Sequence, residues 1–187
     1  FFPNTTLTAK GIEDGFMGRD ILINKENGER IAQAIMEMEK ESIAAAQKEQ
    51  FQETIEAGTA FLNAKSAEEG VVTLPSGLRY KVITEGTGDK PTPTDMVTAH
   101  YHGTLIDGTV FDSSVDRGEP VDFPVMGVIK GWTEALQLMP KGSKWQLYIP
   151  YDLAYGEQGA GGQIGPYSTL IFDVELLDIK SQETMEQ

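Results

Sequence analysis

His100 and His102 stand two positions apart, and in an extended segment that spacing puts both on one face, as two metal ligands would require. A metal site needs further ligands, commonly carboxylate or cysteine. The chain has no cysteine, and Asp95 and Asp107 lie near the pair without motif spacing, so ordinary polar strand positions are the simpler reading. No metal or cofactor is expected. Ser113 and Ser114 follow Asp112, but no nucleophile-elbow pattern surrounds them. Gly159-Ala160-Gly161-Gly162 lacks the lysine of a phosphate-binding loop, and a strand rather than a helix is expected after it. A flexible lid is the preferred reading of that stretch. What remains is an apolar, mostly aromatic set around one carboxylate: Tyr101, Phe111, Asp112, Val128, Ile129, Trp132, Tyr155 and Phe172. Residues of these types are commonly core. Concave apolar sites with few polar groups also bind small ligands or proline-containing segments, and spacing alone does not show convergence.

The elements that must carry these residues follow from the period of the apolar positions. Met96 to Ile106 alternates, placing Val97, Ala99 and Tyr101 on one strand face and Thr98, His100 and His102 on the other. Asp107-Gly108 supplies a hairpin turn after it. Leu78 to Ile83 and Lys144 to Ile149 read as strands, the latter with Trp145, Leu147 and Ile149 together. The last strand puts Leu170, Phe172, Val174 and Leu176 on one side. Between these strands Gly131 to Leu138 makes a two-turn helix ended by Pro140 and Gly142, and Gly156 to Pro166 is a glycine-dense loop too long for a simple hairpin.

The first part of the chain differs. Residues 1–69 hold no Tyr or Trp, while residues 70–187 hold all six Tyr and both Trp and most of the 20 glycines. The expected organisation is a helical arm over 1–69 and a turn-rich sheet domain over 70–187. Leu7, Gly11, Ile12 and Phe16 suggest a short helix, and Asn24 to Gly28 a polar turn. Glu29 to about Asn63 is rich in good helix formers and lacks proline, predicting one helix roughly 50 Å long. Ile31, Ile35 and Met38 mark a stripe that Phe51, Ile55 and Leu62 continue less regularly, with Gly58 as the weak point. A rod of that length needs a partner surface, unless it is a solvated linker.

The net charge is −14, spread over both parts. Nucleic-acid binding and attraction to an anionic membrane need a basic footprint, which is missing. No apolar run approaches the roughly 18 residues of a membrane span. The absence of cysteine suits the periplasm or cell envelope, with the cytoplasm as the alternative. The start at Phe1-Phe2-Pro3 suggests a processed or truncated chain, which leaves room for the loss of a signal peptide or lipid anchor.

Five ordered stretches carry a family likeness: Ala99 to Gly103, Asp107 to Ser114, Gly127 to Trp132, Tyr151 to Gly156, and Ser168 to Leu177. Together they make residues 74 to 180 closely resemble the FKBP (immunophilin) isomerase domain. Ala60 to Asn63 followed by Gly70 to Leu78 is similar to the macrophage infectivity potentiator subgroup of bacteria. The resemblance implies an α+β fold in which a curved antiparallel sheet wraps a short helix, preceded by an all-helical arm that holds a homodimer. It implies peptidyl-prolyl cis-trans isomerase activity on protein and peptide substrates, and binding of macrolides such as tacrolimus or rapamycin. In that reading Trp132 floors a pocket walled by Tyr101, Phe111, Val128, Ile129 and Phe172, with Val121, Phe123 and Ile164 also touching substrate. Tyr155 donates its hydroxyl from the rim, the Ile129 N–H holds the peptide carbonyl, and Asp112 faces the twisting amide or orients its neighbours. Two positions depart from the family pattern: Val121 stands where an aromatic is common, and Gly161-Gly162-Gln163 replaces a stretch that commonly holds a histidine. The rival reading is a chaperone module that holds proline segments with little turnover.

Overall fold

The computed structural model describes residues 25–180, and the short helix expected over Leu7–Phe16 lies outside them. The chain divides into two compact units, residues 1–49 and 50–187. In the first, helix α1 (Lys25–Gln50) begins where a polar turn was expected and runs through Gly28. Its stripe of Ile31, Ile35 and Met38 is exposed, as are Met36 and Ile43. Among the described residues no helix is long and apolar enough to cross a membrane.

The single long helix expected from Glu29 to Asn63 is instead two, and the break falls at Phe51 rather than at Gly58. Phe51 leaves the helical region (φ −103°, ψ 18°) before α2 (Gln52–Ser66) starts. Its ring lies 5.8 Å from that of Tyr167, a contact that competes with continuing the helix. Gly58 stays helical because the missing side chain lets α2 close on Thr169, where a Cβ would intrude on the hydroxyl. Leu62 is buried in the same docking, and Phe61 covers Tyr148 at 6.0 Å. Composition assigned α2 to the arm, with the boundary at 69/70; packing puts it in the compact unit of the sheet, with the division at 49/50.

The sheet contains β1 (Val71–Thr73), β2 (Arg79–Thr84), β3 (Met96–Leu105), β4 (Val110–Ser113), β5 (Val121–Pro124), β6 (Lys144–Ile149) and β7 (Leu170–Lys180). Its order is β1-β2-β6-β7-β3-β4, with β5 beside the first half of β3, and every pairing is antiparallel. The alternation predicted for β3, β6 and β7 holds: Val97, Ala99, Tyr101, Leu147, Ile149, Leu170, Val174 and Leu176 are buried. This apolar face closes around helix α4 (Lys130–Leu136), which contributes Trp132, Ala135 and Leu136. Gly131 is what lets α4 approach so closely, since a Cβ there would stand 2.6 Å from Ile149 Cγ2. Between β4 and β5 a one-turn helix, α3 (Ser114–Arg117), is capped by the Ser113 hydroxyl accepting the Asp116 N–H and stopped by Gly118 at φ 78°.

Candidate functional site

The aromatic residues that spacing alone left scattered meet at the mouth between α4 and the sheet. Trp132, on the first turn of α4, lies 5.5 Å from Tyr101, 5.3 Å from Phe172 and 5.5 Å from Phe123, each edge to face. Phe111 stands edge-on to Phe172 at 5.4 Å. Rings in such arrangements interact favourably beyond their burial and hold each other in place. They bound a cavity of about 560 Å³ whose further lining includes Val128, Ile129, Tyr155 and Ile164. A cavity of that volume is within the range that takes small ligands or a short peptide segment.

Gly103 makes the wall possible. A Cβ at this β3 position would stand 2.7 Å from Phe111 and 2.8 Å from Phe172, and two interlocked rings cannot both retreat. Gly103→Ala is therefore expected to cost about 1–3 kcal/mol by overpacking and to weaken binding of any cavity ligand. Urea unfolding and a ligand titration on the same sample check both effects.

The polar side of the cavity is a three-residue cluster. The Tyr101 hydroxyl donates to Asp112 Oδ2 at 2.5 Å, Arg117 donates to Asp112 Oδ1, and Arg117 Nη2 also reaches the Tyr101 oxygen at 2.8 Å. Burial raises the Tyr101 pKa, and donating to Asp112 raises it further. For Asp112 burial works against ionisation, but the bonds from Tyr101 and Arg117 outweigh it and hold the carboxyl below its ordinary value. The guanidinium is held more firmly protonated in return. Behind the cluster, Ser114 is fully buried and accepts the Tyr101 N–H at 2.7 Å while donating to the Tyr101 carbonyl at 3.2 Å. One hydroxyl has a single proton, so His100 Nδ1, 3.0 Å away, must donate to it. His102 Nδ1 likewise meets Ser113 Oγ at 2.9 Å. Both histidines thus brace the strand that carries Tyr101.

Sequence reasoning missed Arg117. Its signal was the capping pattern Ser113-x-x-Asp116 followed by Gly118, which marks a helical turn that swings an arginine back towards Asp112. Ile129 sits at the start of α4, where its carbonyl accepts the N–H groups of Trp132 and Thr133, each at 3.0 Å. Its own N–H donates to no backbone acceptor among the described residues. Tyr155 is exposed at the rim. Val121, expected in the wall, does not line the cavity. It pairs with Ala99 at the start of β5 and packs on the core, its short side chain stopping there while Phe123, two residues on, reaches Trp132. The loop expected to be a flexible lid is a closed turn: Ala160 and Ile164 exchange backbone hydrogen bonds of 2.8 and 3.0 Å, and Gly159, Gly161 and Gly162 take positive φ. Ala160, Gly161, Gln163 and Ile164 then face the cavity.

An antiparallel sheet closed on one short helix, with a ring-lined cavity at its mouth, is a binding fold built for a small apolar group. Residues 87–177 match the model of the FKBP-type peptidyl-prolyl cis-trans isomerase family, and residues 3–82 match the domain amino terminal to it. The outer membrane protein MIP of Legionella longbeachae is 46% identical over 180 residues, covering 95% of this chain and 76% of that protein. The FKBP-type 22 kDa peptidyl-prolyl cis-trans isomerase of Escherichia coli is 57% identical over 135 residues, 72% of this chain and 66% of that one. The crystal structure of FkpA from Escherichia coli superposes with a TM-score of 0.70 at 39% identity, over 97% of this chain and 84% of that one. The chain belongs to the FKBP-type peptidyl-prolyl cis-trans isomerases. The α+β fold expected from the resemblance is the one observed, and isomerase activity follows from the family.

Proposed function

We propose that X-Pro bonds rotate in the cavity floored by Trp132, with the proline ring seated among Tyr101, Phe111, Phe123, Ile164 and Phe172. The convergence of Tyr101, Phe172 and Trp132 within 5.3 to 6.4 Å of one another carries this reading. Rotation about a peptide C–N bond meets a barrier of about 18–20 kcal/mol because resonance is lost, while the two X-Pro end states differ by about 0.5–1 kcal/mol. The task is purely kinetic, and no proton or covalent bond need move. A planar amide is more polar than a twisted one, whose oxygen has lost part of its charge. A water-poor aromatic cavity therefore disfavours the resting amide relative to the twisted one. The Ile129 N–H anchors the substrate carbonyl, the Tyr155 hydroxyl donates from the rim, and Asp112 sets the field along the wall. This explains why the site is built from rings and lacks a nucleophile.

Macrolides such as tacrolimus and rapamycin compete for the same cavity in this reading. A protease-coupled assay with a proline tetrapeptide tests it: rapamycin is expected to abolish catalysis at one equivalent per site, and unaffected rates at saturation would reject the assignment.

A homodimer through α1 accounts for its exposed Ile31, Ile35 and Met38. Ile35→Glu with Met38→Glu is expected to halve the mass seen by light scattering without loss of activity on a tetrapeptide. The cell envelope is the proposed location, in keeping with the lack of cysteine and with the likeness to a relative named as an outer membrane protein. Protein folding clients, bound as proline-containing chains, are the proposed substrates, and an added chaperone role belongs to the same proposal.

A further inference from the structure

Helix α2 docks on the sheet away from the cavity, but one of its contacts leads back to it. Tyr167 ends the loop that lines the cavity, and it is the one non-glycine residue with positive φ among those described, at 58°. That conformation is strained for a tyrosine, whereas glycine or asparagine adopts it readily. Tyr167 is nevertheless buried, at 1% exposure, with its ring between Phe51 at 5.8 Å and Tyr151 at 5.2 Å. Its N–H donates to the Gly156 carbonyl at 2.9 Å, and the Gly156 N–H donates to the Tyr151 carbonyl at 2.8 Å. Gly156 directly follows Tyr155. These two bonds tie the residue beside the rim hydroxyl to the middle ring of the aromatic sandwich and to Tyr151 on one side of it.

We propose that Tyr167 and Phe51 are positioning residues, a strut through which helix α2 holds Tyr155 and the 156–166 loop over the cavity; the proposal rests on the reading of that cavity as the site of isomerisation. The strained backbone at Tyr167 is stable only while ring contacts offset it. Removing Phe51 strips one side of the sandwich. Tyr167 then relaxes, its bond to Gly156 weakens, and Tyr155 loses the direction of its hydroxyl. Phe51 does not line the cavity, so its effect on catalysis passes through Tyr167.

A double-mutant cycle on the full chain tests the strut, because general loss of stability leaves substitutions multiplicative and coupling does not. Tyr155→Phe is compared in the wild-type and Phe51→Ala backgrounds by kcat and KM on a proline tetrapeptide. Phe51 is half-buried at a helix start, so the Ala variant folds, and circular dichroism verifies it. In wild type, Tyr155→Phe is expected to lower kcat/KM about tenfold; in Phe51→Ala the same change is expected to lower it about twofold or less. Phe51→Tyr, which keeps the ring, restores the larger factor. Amide exchange at Gly156 and Tyr167 is expected to speed up about tenfold in Phe51→Ala with the β3 amides unchanged. Equal factors in the two backgrounds, or unchanged exchange at both amides, overturn the strut while leaving the cavity reading intact. No effect of Tyr155→Phe in wild type overturns the role of Tyr155, and the strut with it.

Discussion

Replacing Trp132 by leucine is expected to lower kcat/KM for a proline tetrapeptide by about 30- to 100-fold, with the chain still folded. The size follows from what the indole does. It meets Tyr101, Phe123 and Phe172 edge to face at 5.3 to 5.5 Å, and aromatic pairs of that kind contribute about 0.5–1.5 kcal/mol each. Leucine keeps an apolar floor but removes its flatness, so the proline ring is no longer held while the preceding carbonyl turns. Losing about 2–3 kcal/mol of transition-state preference corresponds to the stated factor, at about 1.4 kcal/mol per tenfold. Trp132 is also 4% exposed, and shrinking a buried aromatic costs about 2–4 kcal/mol of stability. Its indole N–H has no acceptor among the described residues, so no hydrogen bond is lost with it, which keeps the cost toward the lower end. Denaturation followed alongside the protease-coupled assay separates the two effects. Activity within twofold of wild type in a folded Trp132→Leu protein would show that the floor takes no part in rotation.

How much of this was legible beforehand depends on the range of the interaction responsible. The alternation of Trp145, Leu147 and Ile149 in β6, and of Leu170, Phe172, Val174 and Leu176 in β7, is written locally, because a half-buried strand repeats every two residues. Motif likeness likewise picked out Tyr101, Phe111, Asp112, Ile129, Trp132 and Phe172, which line one cavity. The break at Phe51 was not, because its cause is Tyr167, far along the chain and invisible to helix propensity. Nor was the burial of Tyr148, which faces away from the α4 side of β6 and is covered by Phe61. Gly58 read as a weak point of a rod and proves to be a docking surface. Arg117 had only a cap pattern to announce it, and its partner choice depends on how β4 turns into α3. Val121, placed at the site by its position in a motif, packs on the core beside Ala99 and outside the cavity lining.

Asp112 is expected to separate activity from stability. Asp112→Ala is expected to reduce kcat/KM about tenfold or more while changing unfolding free energy by less than about 1 kcal/mol. The stability effect is small because Asp112 and Arg117 are about half exposed, at 45% and 49%, so water screens their attraction and replaces it when it is lost. The activity effect is large because the carboxylate is the shared acceptor of Tyr101 and Arg117; without it only the bond between those two side chains is left to direct them against the cavity. Asp112→Asn divides the two roles. An amide oxygen still accepts from Tyr101, so if geometry is what matters the Asn variant recovers most of the activity; if charge is what matters it resembles Ala. The pH dependence gives an independent reading. The folded-state pKa of Asp112 lies below the ordinary 3.8, because the hydrogen bonds from Tyr101 and Arg117 exceed the opposing effect of burial. A depressed pKa contributes stability that is complete above the unfolded value and lost as pH falls through the folded one. Between neutral pH and 3.8 the contribution from Asp112 is therefore constant, and the acid limb of kcat/KM falls below 3.8. Asp122 and Asp178, each paired with a lysine, titrate in the same direction and affect wild type and variant alike. The difference between the wild-type and Asp112→Asn profiles isolates the cavity carboxylate, and an identical acid limb in both would remove Asp112 from the catalytic cluster.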